Sequence, residues 1–143
     1  MWGKWVHHFR SNTRSRLELW AVPLAMCLTD KALTLLGQSP EYWNGDYLQV
    51  YEANPLMRSL LEIHPVCYSL GSLLYILLWL IPVVLLPIRT ALVLSVWVTI
   101  AHAQGARTWM YNVFQVPYLL HNGFNLIVAV LLVWAWTRME RRL

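Results

Sequence analysis

Four apolar runs, 17–37, 65–86, 90–109 and 117–137, constrain this chain more than anything else in it. Each approaches the ~20 residues that a helix needs to cross ~30 Å of hydrocarbon. Backbone in lipid must satisfy its own hydrogen bonds, so runs of this length predict helices. Four of them predict an all-α membrane protein, a four-transmembrane-helix bundle in which residues 1–143 form one domain. The competing architecture is a soluble helical core, which needs polar residues at helical period, and 65–86 has almost none. At 58% hydrophobic, 13% charged and a mean hydropathy of +0.45, the chain has too little polar surface for that alternative. Nine tryptophans and seven tyrosines, many at the ends of the runs, suit the water–lipid boundary.

The net charge of +4 does not point to nucleic acid, because the basic residues flank the apolar runs instead of forming a stripe. They read as topological signals. Lys4, Arg10, Arg14, Arg16, Arg89, Arg138, Arg141 and Arg142 fall on the side of the termini and the 87–90 turn, and only Lys31, Arg58 and Arg107 on the other. That asymmetry predicts both termini in the cytoplasm. Residues 1–16 resemble the basic start of a secretory signal, but the following run is long and no small-x-small cleavage site follows, which reads as an uncleaved first span.

The connection 38–64 carries its own helix signals. Ser39-Pro40-Glu41 supplies a capping residue, a proline at the first helical position and an acid in the first turn; Asn44-Gly45 reads as a turn; Asn54-Pro55 repeats the start signal. Two short interfacial helices are expected here, the second ending at Pro65, with Tyr42, Trp43, Tyr47 and Tyr51 at headgroup level. A second span that starts at Pro55 and bends at Pro65 is the alternative.

Asp30 lies inside the first apolar run, and a carboxylate at such depth costs roughly 2.5–3.5 kcal/mol on insertion scales, so it marks a protein interior or a wet site. At 1.5 Å of rise per residue Asp30 is ~10 Å below the outer edge, and His102 falls at nearly the same height on its own helix. His121 and Asn125, one helical turn apart, lie ~6 and ~12 Å below that edge. Polar groups of three helices thus share one layer, and Glu52, Asn54, Glu62 and His64 reach the same end from the connection. The other half of the bundle has almost no ionisable group. An outward-opening polar pocket with an apolar floor is expected, with Asp30, Glu52, His102 and His121 as ligands and Thr34, Asn54, His64 and Asn125 in support. Structural roles compete for each residue: for Asp30, accepting from Thr34 or pairing with His102 as glue between helices, and for a lone intramembrane histidine, bonding a facing helix. Lys31, about 100° around the helix from Asp30, is expected to snorkel outward. Gly71, Ser72, Ala101 and Gly105 are expected where helices approach closely.

Carboxylate plus imidazole suits a divalent metal such as zinc, although H-E-x-x-H and C-x-x-C are absent. An open metal site would support an intramembrane hydrolase. The same groups suit proton or cation handling, or axial ligation of haem by His102 and His121. No serine or cysteine has a base at a recognisable spacing, which disfavours covalent catalysis.

Read together, Asp30-x-x-x-Thr34 and Glu52-Ala53-Asn54-Pro55 resemble a family of small four-span prokaryotic membrane proteins known as a domain of unknown function. The matching stretch runs from Asp30 to about Leu61. The resemblance implies a four-helix membrane fold in which Asp30, Thr34, Glu52 and Asn54 belong together, and it supplies no activity. The leading expectation is a binding protein for a metal ion, proton or small polar ligand in contact with the lipid bilayer. A hydrolase at the same site, or an assembly subunit working with other membrane subunits, is the alternative.

Overall fold

The structure is a computed structural model that describes the backbone of residues 2–140 and the side chains of 19–138 except that of His121. It is all-helical over those residues: α1 (Trp2–Leu36), α2 (Pro40–Trp43), α3 (Pro55–Ile63), α4 (Pro65–Leu85), α5 (Ile88–Asn112) and α6 (Tyr118–Glu140). Three of these helices are long and apolar enough to cross a membrane, over Leu19–Leu36, Pro65–Leu85 and Tyr118–Arg138. The apolar run 90–109 predicts a fourth span, and α5 covers that stretch but is not among the three. The reason lies in its residues: His102, Gln104, Arg107 and Thr108 sit where a lipid-facing helix would carry leucine.

What α5 lacks in hydropathy it makes up in packing. Its face Ala91, Ser95, Val98, Thr99, His102, Ala103 and Ala106 is buried, chiefly against α1. The small side chains on this face bring the two backbones close, which suits association without a hydrophobic driving force. By contrast, α4 and α6 leave Leu70, Leu73, Leu77, Leu119 and Leu126 more than two-fifths exposed, as helices bordered by acyl chains would.

The bundle has two unlike ends. At the end of the α4–α5 turn, Leu19, Trp20, Cys27, Ile76, Val83, Ala91 and Val98 form one apolar cluster between α1, α4 and α5. At the opposite end, the 37–54 connection folds over a second cluster of Tyr42, Val50, Met57, Leu61 and Tyr68. The helix-start signals there act as read from the sequence. The Ser39 hydroxyl accepts from the Tyr42 N–H at 3.2 Å, and the Asn54 side chain accepts from the N–H groups of Leu56 and Met57 at 3.0 and 3.3 Å. Glu41, in the first turn of α2, has its carboxyl held below the usual carboxylate range by its own backbone N–H and by the Ser39 hydroxyl.

One expectation for the connection needs correction. Tyr42 does not face outward: it is fully buried, its hydroxyl donates to the Leu61 carbonyl at 3.1 Å and its ring packs under α3. The second short helix ends just before Pro65 as expected, and 55–86 is not one bent span: His64 is extended, ends α3 and caps α4. Gly71 of α4 is filled by the Leu60 side chain of α3, so its missing Cβ serves this short helix.

Candidate functional site

The cavity of about 710 Å³ at the connection end is built on one pair of side chains. Asp30 of α1 and His102 of α5, both buried, meet with Oδ2 at 2.8 Å from Nδ1. With the carboxylate ionised, Nδ1–H donates, and this fixes the orientation of the imidazole. Nε2 has no hydrogen-bond partner among the described residues and is itself buried, with the Tyr75 ring edge-on to the imidazole at 5.7 Å between centroids.

Local sequence explains why the pair forms. Asp30 is seated against Gly105, where any Cβ would collide with the carboxylate oxygens: its Cγ would be 2.9 Å away and Oδ2 3.0 Å. The absent side chain at 105 is therefore the notch that admits the carboxylate. Thr34, four residues on from Asp30, donates its hydroxyl to the Asp30 backbone carbonyl at 3.0 Å and not to the carboxylate. It supports the helix beneath the site, consistent with the back-bonding habit of threonine.

From the connection, Val50, Tyr51, Glu52, Ala53 and Asn54 form the upper wall. They are held there by Gln38, whose Nε2 donates to the carbonyls of Thr34 (2.7 Å) and Tyr51 (2.9 Å) and whose Oε1 accepts from the Tyr51 N–H at 2.8 Å. One buried amide thus staples the loop to the end of α1. Glu52 accepts from the Asn54 N–H at 2.7 Å, which turns the chain into α3. Met57 and Arg58 of α3, Tyr75 of α4, and Ala101, Gly105, Thr108, Trp109 and Asn112 of α5 complete the walls.

Of the residues expected at the site, Asp30, Glu52, Asn54 and His102 line this one cavity. His64 does not: its Nδ1 accepts from the Val66 N–H at 3.2 Å as the cap of α4, and its ring meets Tyr47 edge-on. Asn125 on α6 is not among the lining residues either, because α6 packs on the far side of α1 and α5 from the connection wall. The side chain of His121 lies outside the described residues, and with it the haem reading and one of the expected ligands. Among the described residues no three His, Cys, Asp or Glu side chains come together as a group that could hold a metal ion. Glu62 is engaged with Arg58, Oε1 to Nε at 2.9 Å, on the exposed side of α3.

The largest correction concerns Lys31. It lines the same cavity as Asp30, and its ammonium rests 5.5 Å from the Tyr68 ring centroid and 5.7 Å from that of Tyr75. Neighbouring positions on a helix point 100° apart, but a four-carbon stem carries the charge back across that angle onto the faces of two rings of α4. Gln38, Tyr75 and Trp109 were not singled out by sequence reasoning at all. The signal for Gln38 was available: a long amide at a helix end, followed by a connection whose backbone needs partners.

No family model, no curated protein and no solved structure matches this chain.

Proposed function

We propose that the protein is a four-span membrane protein of a prokaryotic inner membrane, with both termini cytoplasmic, that binds a polar ligand in an outward-opening pocket centred on Asp30 and His102. The observation that carries this reading is the buried carboxylate and imidazole pair, 2.8 Å apart, at the wall of a cavity of about 710 Å³. A pair needed only as glue between two helices would be stable in a dry interface; here both residues line a cavity. The fourth span is α5. Its 25 residues are long enough to cross; Ser95, Thr99 and His102 are buried, Thr108 and Asn112 line the pocket, and the exposed Gln104 and half-buried Arg107 lie in its last third. The charge asymmetry of Lys and Arg supports the orientation. The likeness of Asp30-x-x-x-Thr34 and Glu52-x-Asn54-Pro55 to the family of unknown function adds to the reading, since three of these four side chains share the pocket wall.

Thiol accessibility tests both topology and pocket. In a Cys67→Ala background, which leaves only the buried Cys27, Asn112→Cys and Thr108→Cys react with a membrane-impermeant maleimide added outside intact cells, and Trp97→Cys does not. Labelling only after the cytoplasmic side is opened reverses the orientation. No labelling at either position under any condition refutes a water-filled pocket.

A further inference from the structure

The pocket reaches an exposed position of α5 at Ala101, one of its lining residues. Its lining draws on α4 and α5 but on no residue of α6. On α5 the stripe Trp97, Ala101 and Thr108 is exposed, and it passes from an aromatic residue to a methyl group as it enters the cavity. Below that point the gap between α4 and α5 is closed by rings: Trp79 meets Trp97 with centroids 5.4 Å apart, and Tyr75 meets Trp79 at 5.9 Å. Above it, the Tyr75 ring meets the His102 ring with centroids 5.7 Å apart, and beside that contact Ala101 presents only a methyl group and Gly105 no side chain. Leu74, Leu78 and Ile100, one position from Tyr75, Trp79 and Ala101 respectively, are exposed, so the helix faces flanking these residues are apolar.

The charges inside are unevenly engaged. Asp30 is bonded by His102, Glu52 by the Asn54 N–H, and Arg58 by Glu62. Lys31 has only the two ring faces of Tyr68 and Tyr75, with no anion beside it among the described residues. A cation in a cavity with an apolar side door complements a ligand that is anionic at one end and apolar at the other.

Building on the proposed pocket, we infer that the ligand is an anionic membrane lipid: its phosphate lies on Lys31, and its acyl chain leaves sideways between α4 and α5 past Ala101. The ligand enters from the outer leaflet, not from water.

Native mass spectrometry of the full chain in an uncharged maltoside detergent tests this with three probes: palmitoyl-lysophosphatidylglycerol, monopalmitoylglycerol, which lacks the phosphate, and glycerol 3-phosphate, which lacks the chain. One equivalent of the lysophospholipid binds, and both fragments bind at least about tenfold more weakly. Lys31→Met weakens the lysophospholipid about tenfold or more and Lys31→Arg restores most of it, since an ammonium or a guanidinium can hold phosphate. Ala101→Trp closes the side door and has the same effect on the lysophospholipid without changing glycerol 3-phosphate; Ala101→Leu serves if the tryptophan variant does not fold. Equal binding of glycerol 3-phosphate and lysophospholipid, unaffected by Ala101→Trp, overturns the lipid in favour of a soluble phosphate ester. Equal binding of monopalmitoylglycerol overturns the anion. Either result, with Asn112→Cys still labelled from outside, refutes this inference alone; loss of that labelling refutes the pocket itself.

Discussion

The two ends of the bundle solve the same packing problem with different chemistry. At the α4–α5 turn, α1 meets α5 through Leu19, Trp20, Cys27, Ala91 and Val98, and the Thr99 hydroxyl is returned to its own helix at the Ser95 carbonyl, 2.7 Å away. At the connection end the same two helices meet through a carboxylate and an imidazole. Dispersion and small residues suffice to hold helices together in lipid, as the turn end demonstrates. The ionisable pair is therefore not required for association as such, and its presence at one end only is what directs attention to function there.

The sharpest way to break this contrast is to carry the chemistry of one end to the other. Val98→Asp, a carboxylate in the apolar cluster with no imidazole opposite, destabilises the fold by about 3 kcal/mol in unfolding from mild detergent into SDS; a negligible effect would mean that the turn end is wet. Next in size is Gly105→Val, which pushes a side chain into the Asp30 carboxylate and costs roughly 1–3 kcal/mol in the same assay. Gly123→Val on α6, where a Cβ meets nothing within 4 Å, stays within about 0.5 kcal/mol and serves as its control. A double-mutant cycle of Asp30→Asn and His102→Gln yields a coupling of about 1 kcal/mol, modest because hydrogen bonds between membrane helices are modest, while either single change also weakens lysophospholipid binding. Equal loss of stability and binding across that cycle would reduce the pair to glue. Asn54→Ala removes the cap of α3 and costs about 1 kcal/mol.

The smallest effect concerns Glu41. Its carboxyl is held low in the folded chain, so the associated stability is present above its ordinary range and is lost as pH falls through the lowered value. Ser39→Ala takes away one of the two bonds responsible, and a carbon NMR titration of Glu41 then moves upward; no movement would leave the backbone N–H as the sole cause.

Heights were legible in the sequence and directions were not. Rise per residue is nearly constant, so counting from the ends of the runs was enough to bring Asp30 and His102 to one level. The caps at Ser39 and Asn54 were equally legible, because they depend on residues two or three positions away. Azimuth depends on which helices are neighbours, and that defeated the reading of Asn125, on a helix that does not reach the pocket wall. Lys31 failed for a related reason: a flexible stem can cancel the angle that its Cα imposes. Gln38 escaped notice because its partner Tyr51 is thirteen residues away and the pairing exists only once the connection has folded back. For α5, run length pointed to a span, yet Gln104, Arg107 and Thr108 in its last third leave it less apolar than the spans of the other three long helices.

Seating a carboxylate in the notch at Gly105 has a mechanical consequence. Sliding α1 along α5, or rolling one over the other, would drive Asp30 into the next turn of backbone, so these two helices move as one strut. Any breathing that admits or releases a guest must then come from the parts that touch the strut but are not keyed to it: the loop hung on Gln38, and the upper half of α4.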